Sequence, residues 1–179
     1  MKLFAALLGT VACAVLNAQP VQPPHTQLKV GDMAPDFTLR STTGQDVKLS
    51  SFRGKSNVVL AFFPAAFSPG CTKEFQAYQA GIAKFEGQEA KVLGISTDNT
   101  FSQREFAAKL NVSFPMLSDF SKRDVAKTYG VLIPEVGVAN RATFVVDKEG
   151  KIVHIEEGSG AIDPSGAELA CSRLAHKSQ

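Results

Sequence analysis

The residues best placed to do chemistry lie in one short stretch, Pro64-Ala65-Ala66-Phe67-Ser68-Pro69-Gly70-Cys71. An apolar run, Val58 to Phe63, reads as a buried strand that Pro64 breaks. A helix from Cys71 to Glu86 follows, with Phe75, Tyr78, Ile82 and Phe85 close to the helical period. The thiol of Cys71 therefore sits in a first helical turn, where unpaired N–H groups and the helix dipole favour an anion. That placement favours thiolate over thiol and suits a nucleophile. A buried free cysteine is often only a small hydrophobe. The strand-to-helix junction, the preceding Pro69-Gly70 and the polar Thr72, Lys73 and Glu74 argue for a reactive one. Ser68 can cap the helix, donate to the sulfur, or do both. Pro64 can end the strand and also shield the thiol from water.

The elements that must position this stretch can be read outward from it. Asp36–Leu39 and Val47–Leu49 flank Thr43-Gly44 as a hairpin, and Ser50–Gly54 reads as a helical turn. Asn57–Phe63 and Lys91–Ser96 are buried strands. Phe101–Leu110, with Thr100 as its cap, and Ser121–Tyr129, closed by Gly130, are helices. Ala142–Val146 and Lys151–Glu157 form an antiparallel hairpin around Asp147–Gly150, and a last helix runs from Asp163-Pro164 to about His176. Parallel βαβ followed by an antiparallel hairpin predicts an α/β domain with a mixed central β-sheet and helices on both faces. That is the pattern of a thioredoxin-like fold.

The chain has 179 residues, 44% of them hydrophobic, with 13 Phe and no Trp, enough for one domain with a proper core. With 19 basic against 17 acidic residues and no basic cluster, nothing resembles a nucleic-acid footprint. Residues 1–18 carry Lys2, an apolar run from Leu3 to Leu16 and a small residue, Ala18, which describes a secretory signal peptide. The alternative is an uncleaved anchor, although the run is short of the about 20 residues of a membrane span. Residues 19–29, with Pro20, Pro23 and Pro24, read as an extended linker, and the domain as 30–179. The expectation is an exported protein, periplasmic or secreted, with no stable membrane contact once the signal is removed. Cleavage removes Cys13 and leaves Cys71 and Cys171.

Three motifs in order carry a resemblance. Pro64-x-x-x-Ser68-x-x-Cys71 resembles the active-site signature of the peroxiredoxins, which usually has Thr at the Ser68 position. Arg141–Asp147 followed by Gly150-Lys151-Ile152 resembles their arginine-bearing strand, and Gly31-Asp32-x-Ala34-Pro35-Asp36-Phe37 their N-terminal opening. The similarity runs from about Val30 to the last helix and is nearest the bacterioferritin-comigratory and one-cysteine alkyl hydroperoxide reductase branches. It implies peroxide reduction with no metal or organic cofactor. Cys71 would attack, and Ser68 and Arg141 would hold the peroxide. Glu74 would orient Arg141, or simply favour the helix N-terminus as an acid.

A sulfenic acid on Cys71 needs a second thiol. The position five residues on is Gln76, so one common route is closed. Cys171 lies on one face of the last helix with Ala167 and Leu174. It is either core packing or a resolving cysteine that forms a disulfide bond after the first helix unwinds. If it is inert, an external thiol, a thioredoxin-like protein or a small molecule, recycles the enzyme. The resemblance also suggests a homodimer joined through the loops around the site. A redox sensor or chaperone on the same fold is the alternative function, and it would react once without turnover. His25, His154 and His176 are scattered and offer no metal-ligand spacing.

Overall fold

The computed structural model describes residues 23–177. The expected signal peptide, and residues 19–22 of the linker, lie outside the described residues. Strand β3 (Asn57–Phe62) is the centre of the molecule. Its alternation sends Val58, Leu60 and Phe62 into one apolar cluster and Val59, Ala61 and the following Phe63 into another. A strand buried on both faces has no polar alternation, which is why the segment reads as a continuous apolar run.

Strand β3 runs parallel to β4 (Ala90–Ser96) and antiparallel to β8 (Ala142–Val146). The sheet has seven strands in the order β2-β1-β5-β4-β3-β8-β9, where β1 is Thr38–Ser41, β2 Asp46–Lys48, β5 Met116–Ser118 and β9 Ile152–Glu157. One face is covered by α1 (Pro69–Gly87), α2 (Thr100–Leu110) and α4 (Ser165–Lys177), through residues such as Phe75, Tyr78, Phe106 and Ala167. The other is covered by Ala34 and Phe37 before the N-terminal hairpin, Leu49 after it, and α3 (Asp124–Thr128) with Tyr129. A small hairpin, β6 (Leu132–Ile133) with β7 (Val138–Ala139), stands apart from the sheet. The mixed sheet with helices on both faces is as the element order predicts.

Details differ for local reasons. Helix α1 begins two residues before Cys71, because Pro69 occupies its first turn, where a missing N–H costs nothing. Asn99, not Thr100, caps α2, its side chain accepting from the amides of Phe101 and Ser102. Helix α3 is shorter than Ser121–Tyr129, since Arg123 adopts a left-handed backbone (φ 59°) just before it. Residues 23–29 form no helix or strand and are laid against the domain. Thr26 donates its amide to Glu157 (2.9 Å) and its hydroxyl to the Tyr129 carbonyl (2.6 Å), and Asn140 donates to the Pro24 carbonyl (3.2 Å).

Candidate active site

The site forms where β3 passes into α1. Ser68 is the N-cap of α1, with extended backbone, and its hydroxyl accepts the Cys71 amide at 3.4 Å. The Cys71 amide is thus directed to Ser68. Cys71 lies in the first turn and is fully buried. Glu74, one turn on, shares its face of the helix and is also fully buried. Pro64 sits half-buried in the loop leading from β3 to Ser68.

Arg141 comes from the other side. Strand β8 pairs antiparallel with β3, with Ala142 opposite Phe62, so the residue before β8 stands beside the loop that follows β3. The Arg141 carbonyl accepts the Gly158 amide at 2.9 Å, which fixes the backbone there. Its guanidinium forks. Nη1 donates to Glu74 Oε2, and Nη2 donates to Cys71 Sγ at 3.4 Å. Gly70 makes room for this approach, since a Cβ at that position would lie 3.1 Å from Arg141 Nη2. Glu74 Oε1 is buried and without a hydrogen-bond partner among the described residues. The structure therefore brings Ser68, Cys71, Glu74 and Arg141 together. Of the two readings of Glu74, the geometry carries the ion pair.

A permanent cation donates to one fully buried sulfur in the first turn of a helix. Such a site can hold a sulfur anion and then a departing oxygen anion.

Cys171 is separate from this constellation. It lies inside α4, fully buried, in the same apolar cluster as Cys71, and both thiols are free. Burial, with the Glu168 carboxylate adding to it, pushes the Cys171 thiol up to about 12. Sequence reasoning missed Asp98, in the loop after β4, which accepts the Ala66 amide of the cysteine loop at 2.8 Å. The available signal was an acid two residues past the end of the strand parallel to the one that leads into the cysteine loop.

Comparison with known proteins bears on the family and the fold. The AhpC/TSA family model matches residues 30–155. Alkyl hydroperoxide reductase E of Mycobacterium tuberculosis is 41% identical over 126 residues, 70% of this chain and 82% of that protein. Chloroplastic peroxiredoxin Q of Oryza sativa subsp. japonica is 41% identical over 126 residues, 70% of this chain and 57% of that protein. The crystal structure of peroxidoxin BcpB from Mycobacterium tuberculosis superposes with a TM-score of 0.76 at 34% identity, covering 84% of this chain and 98% of that one. With the family's matched segment spanning every element from β1 through most of β9, the chain belongs to the AhpC/TSA family and is a peroxiredoxin of the bacterioferritin-comigratory and peroxiredoxin Q-like branch.

Proposed function

We propose that this thiol-dependent peroxidase reduces hydrogen peroxide and organic hydroperoxides with Cys71 as the attacking thiolate. The observation that carries the reading is the guanidinium of Arg141, shared between the Glu74 carboxylate and the Cys71 sulfur at the start of α1. The sulfur attacks one peroxide oxygen in line with the O–O bond. An S–O bond forms, the O–O bond breaks, and the second oxygen leaves with the electron pair and takes a proton to become an alcohol or water. Cys71 is left as a sulfenic acid. Arg141 swings little, because Glu74 anchors one nitrogen while the other meets the developing anion. Ser68 offers a hydroxyl to the peroxide, and Pro64 keeps water from the sulfur.

One external thiol condenses with the sulfenic acid and releases water. A second attacks the mixed disulfide and returns Cys71 to its thiol form, so two reductant thiols become one disulfide per peroxide. Cys171 stays outside this cycle. A buried thiol in the middle of a helix, pushed up to about 12, is a poor nucleophile toward a sulfenic acid. The reductant is a thioredoxin-like protein or a small thiol. Phe67 in the loop after β3, Phe101 in the first turn of α2 and Phe120 in the loop after β5 are 50%, 72% and 52% exposed, and these apolar side chains support a homodimer joined beside the site. On the pattern of residues 1–18, the protein works outside the cytoplasm.

Turnover decides between this peroxidase and a sensor that reacts once. With excess thiol, the protein should consume many equivalents of hydroperoxide, and Cys71→Ser should consume none. Consumption that stops at one equivalent, or persists in Cys71→Ser, overturns the reading. Mass spectrometry of the mature protein after one equivalent of peroxide should show Gln19 first, one added oxygen on Cys71 and no bridge to Cys171.

A further inference from the structure

Strands β3 and β4 run side by side, with Phe62 opposite Ile95 and the Phe63 amide bonded to the Ile95 carbonyl at 2.9 Å. The loops that follow them leave the same end of the sheet. Across that gap the Asp98 carboxylate accepts the Ala66 amide at 2.8 Å. The same oxygen, Oδ2, accepts the Ser96 hydroxyl at 2.9 Å. Ser96 Oγ in turn accepts the Asp98 amide (3.2 Å) and Gln103 Nε2 (2.9 Å), and Gln103 Nε2 also donates to the Leu117 carbonyl at 2.8 Å. Ser96 is 1% exposed and Gln103 fully buried. A chain of hydrogen bonds therefore runs from β5 through α2 and the end of β4 to the cysteine loop.

That loop needs an outside hold. Phe67 has φ +66°, a left-handed conformation that a bulky residue does not adopt unless its surroundings impose it. Inside the loop, the Ser68 amide reaches the Ala65 carbonyl at a long 3.4 Å. The Asp98 bond is shorter and charge-assisted. The Phe67 ring packs on Phe106 of α2, centroids 5.3 Å apart, so α2 supports the loop on both its polar and apolar sides.

We propose that Asp98 is a positioning residue for peroxide reduction. By fixing the Ala66 amide it holds Phe67 in the left-handed turn, and the turn sets where Ser68 and Pro64 stand around Cys71. Asp98 touches neither the sulfur nor the substrate. Its contribution belongs to the step in which oxygen must lie in line with sulfur, where a displacement of about 1 Å costs on the order of 100-fold. Reduction of the sulfenic acid by a small thiol also needs an incoming sulfur in line with the S–O bond, but it needs no peroxide held by the loop. This inference rests on Cys71 being the attacking thiol.

The test separates the two half-reactions by stopped flow, hydrogen peroxide against reduced protein, then dithiothreitol against the sulfenic acid form. Asp98→Ala should slow the peroxide step about 10- to 100-fold and leave the thiol step within about twofold. Asp98→Asn, which keeps an acceptor oxygen in place, should recover most of the lost rate. Asp98→Glu keeps the charge and displaces the acceptor by a methylene, so it should show the selective loss even if Asp98→Ala does not fold. Peroxide rates at the parent level in Asp98→Ala or Asp98→Glu, or an equal fall in both half-reactions, overturn the proposal. A parent protein that does not react with peroxide at Cys71 would instead refute the peroxidase reading itself.

Discussion

Replacing Arg141 by lysine keeps a positive charge and removes the fork. In the parent, Nη1 holds Glu74 and Nη2 reaches the Cys71 sulfur at the same time. A lysine ammonium is one point and must choose. Glu74 is fully buried, and a buried carboxylate stripped of its partner costs on the order of 3–5 kcal/mol, so the ammonium will go to Glu74. The fold is then retained, at a cost of about 1.5–3 kcal/mol for one lost charge-assisted bond. For a domain of this size that lowers the melting temperature by roughly 5–10 °C. The sulfur and the departing oxygen lose their donor, which should reduce kcat/KM for hydroperoxide by about 100- to 1,000-fold. Arg141→Met makes the contrast, since it leaves Glu74 unpaired and should destabilise by the full 3–5 kcal/mol or so. Peroxide consumption with excess thiol, beside thermal melts, reads both quantities. If Arg141→Lys keeps activity within about threefold of the parent, the forked geometry is irrelevant and the account of the transition state is wrong.

Two other changes bear on the same structure. Gly70→Ala places a methyl 3.1 Å from Arg141 Nη2, and a guanidinium tied to Glu74 can yield only by leaving the sulfur. Activity should fall about 10-fold while stability holds or rises by up to ~1 kcal/mol, as alanine is the better helix residue; a melt that drops with activity unchanged contradicts this. The buried thiol of Cys171, raised from 9.0 to about 12, makes the fold labile to alkali. In the unfolded chain this thiol ionises first, so its contribution is constant below about pH 9 and is lost at about 1.4 kcal/mol per pH unit as pH rises toward 12. Burial raises the Tyr78 and Tyr129 phenols as well, and they add to the decline from about pH 10. Urea unfolding of Cys171→Ala should show a slope shallower by about one proton between pH 10 and 11, and an unchanged slope would remove Cys171 from the explanation.

The parts of this molecule legible from its sequence are those whose cause is local. Strands β3 and β4 are visible because burial on both faces demands an unbroken apolar run. The start of α1 is visible because a hydroxyl residue, Pro69 and Gly70 mark it before the first apolar turn. Strand β5 has three residues, Met116–Ser118, and exists because β4 and β1 offer it partners on either side. The pair β6 and β7 has two residues per strand and no periodicity to detect. The cap of α2 fell to Asn99 and not to Thr100 because the capping residue must be extended, and Asn99 has φ −71° and ψ 159°.

The site shows the same division. Cys71, Ser68 and Glu74 lie within seven residues, and helical spacing alone puts the last beside the first. Arg141 is 70 residues away from Cys71 in the chain, and its place follows from β8 pairing antiparallel with β3. Asp98 is placed by β4 running parallel on the other side. The strand order β4-β3-β8 thus converts three distant segments into one reacting centre, with the acid that steadies the loop on one flank of the cysteine and the cation on the other. A substitution that shifts β3 along either neighbour should therefore impair catalysis before it unfolds the domain. The hydrophobic sheet can tolerate a small slide, whereas a sulfur, a guanidinium and a peroxide in line cannot.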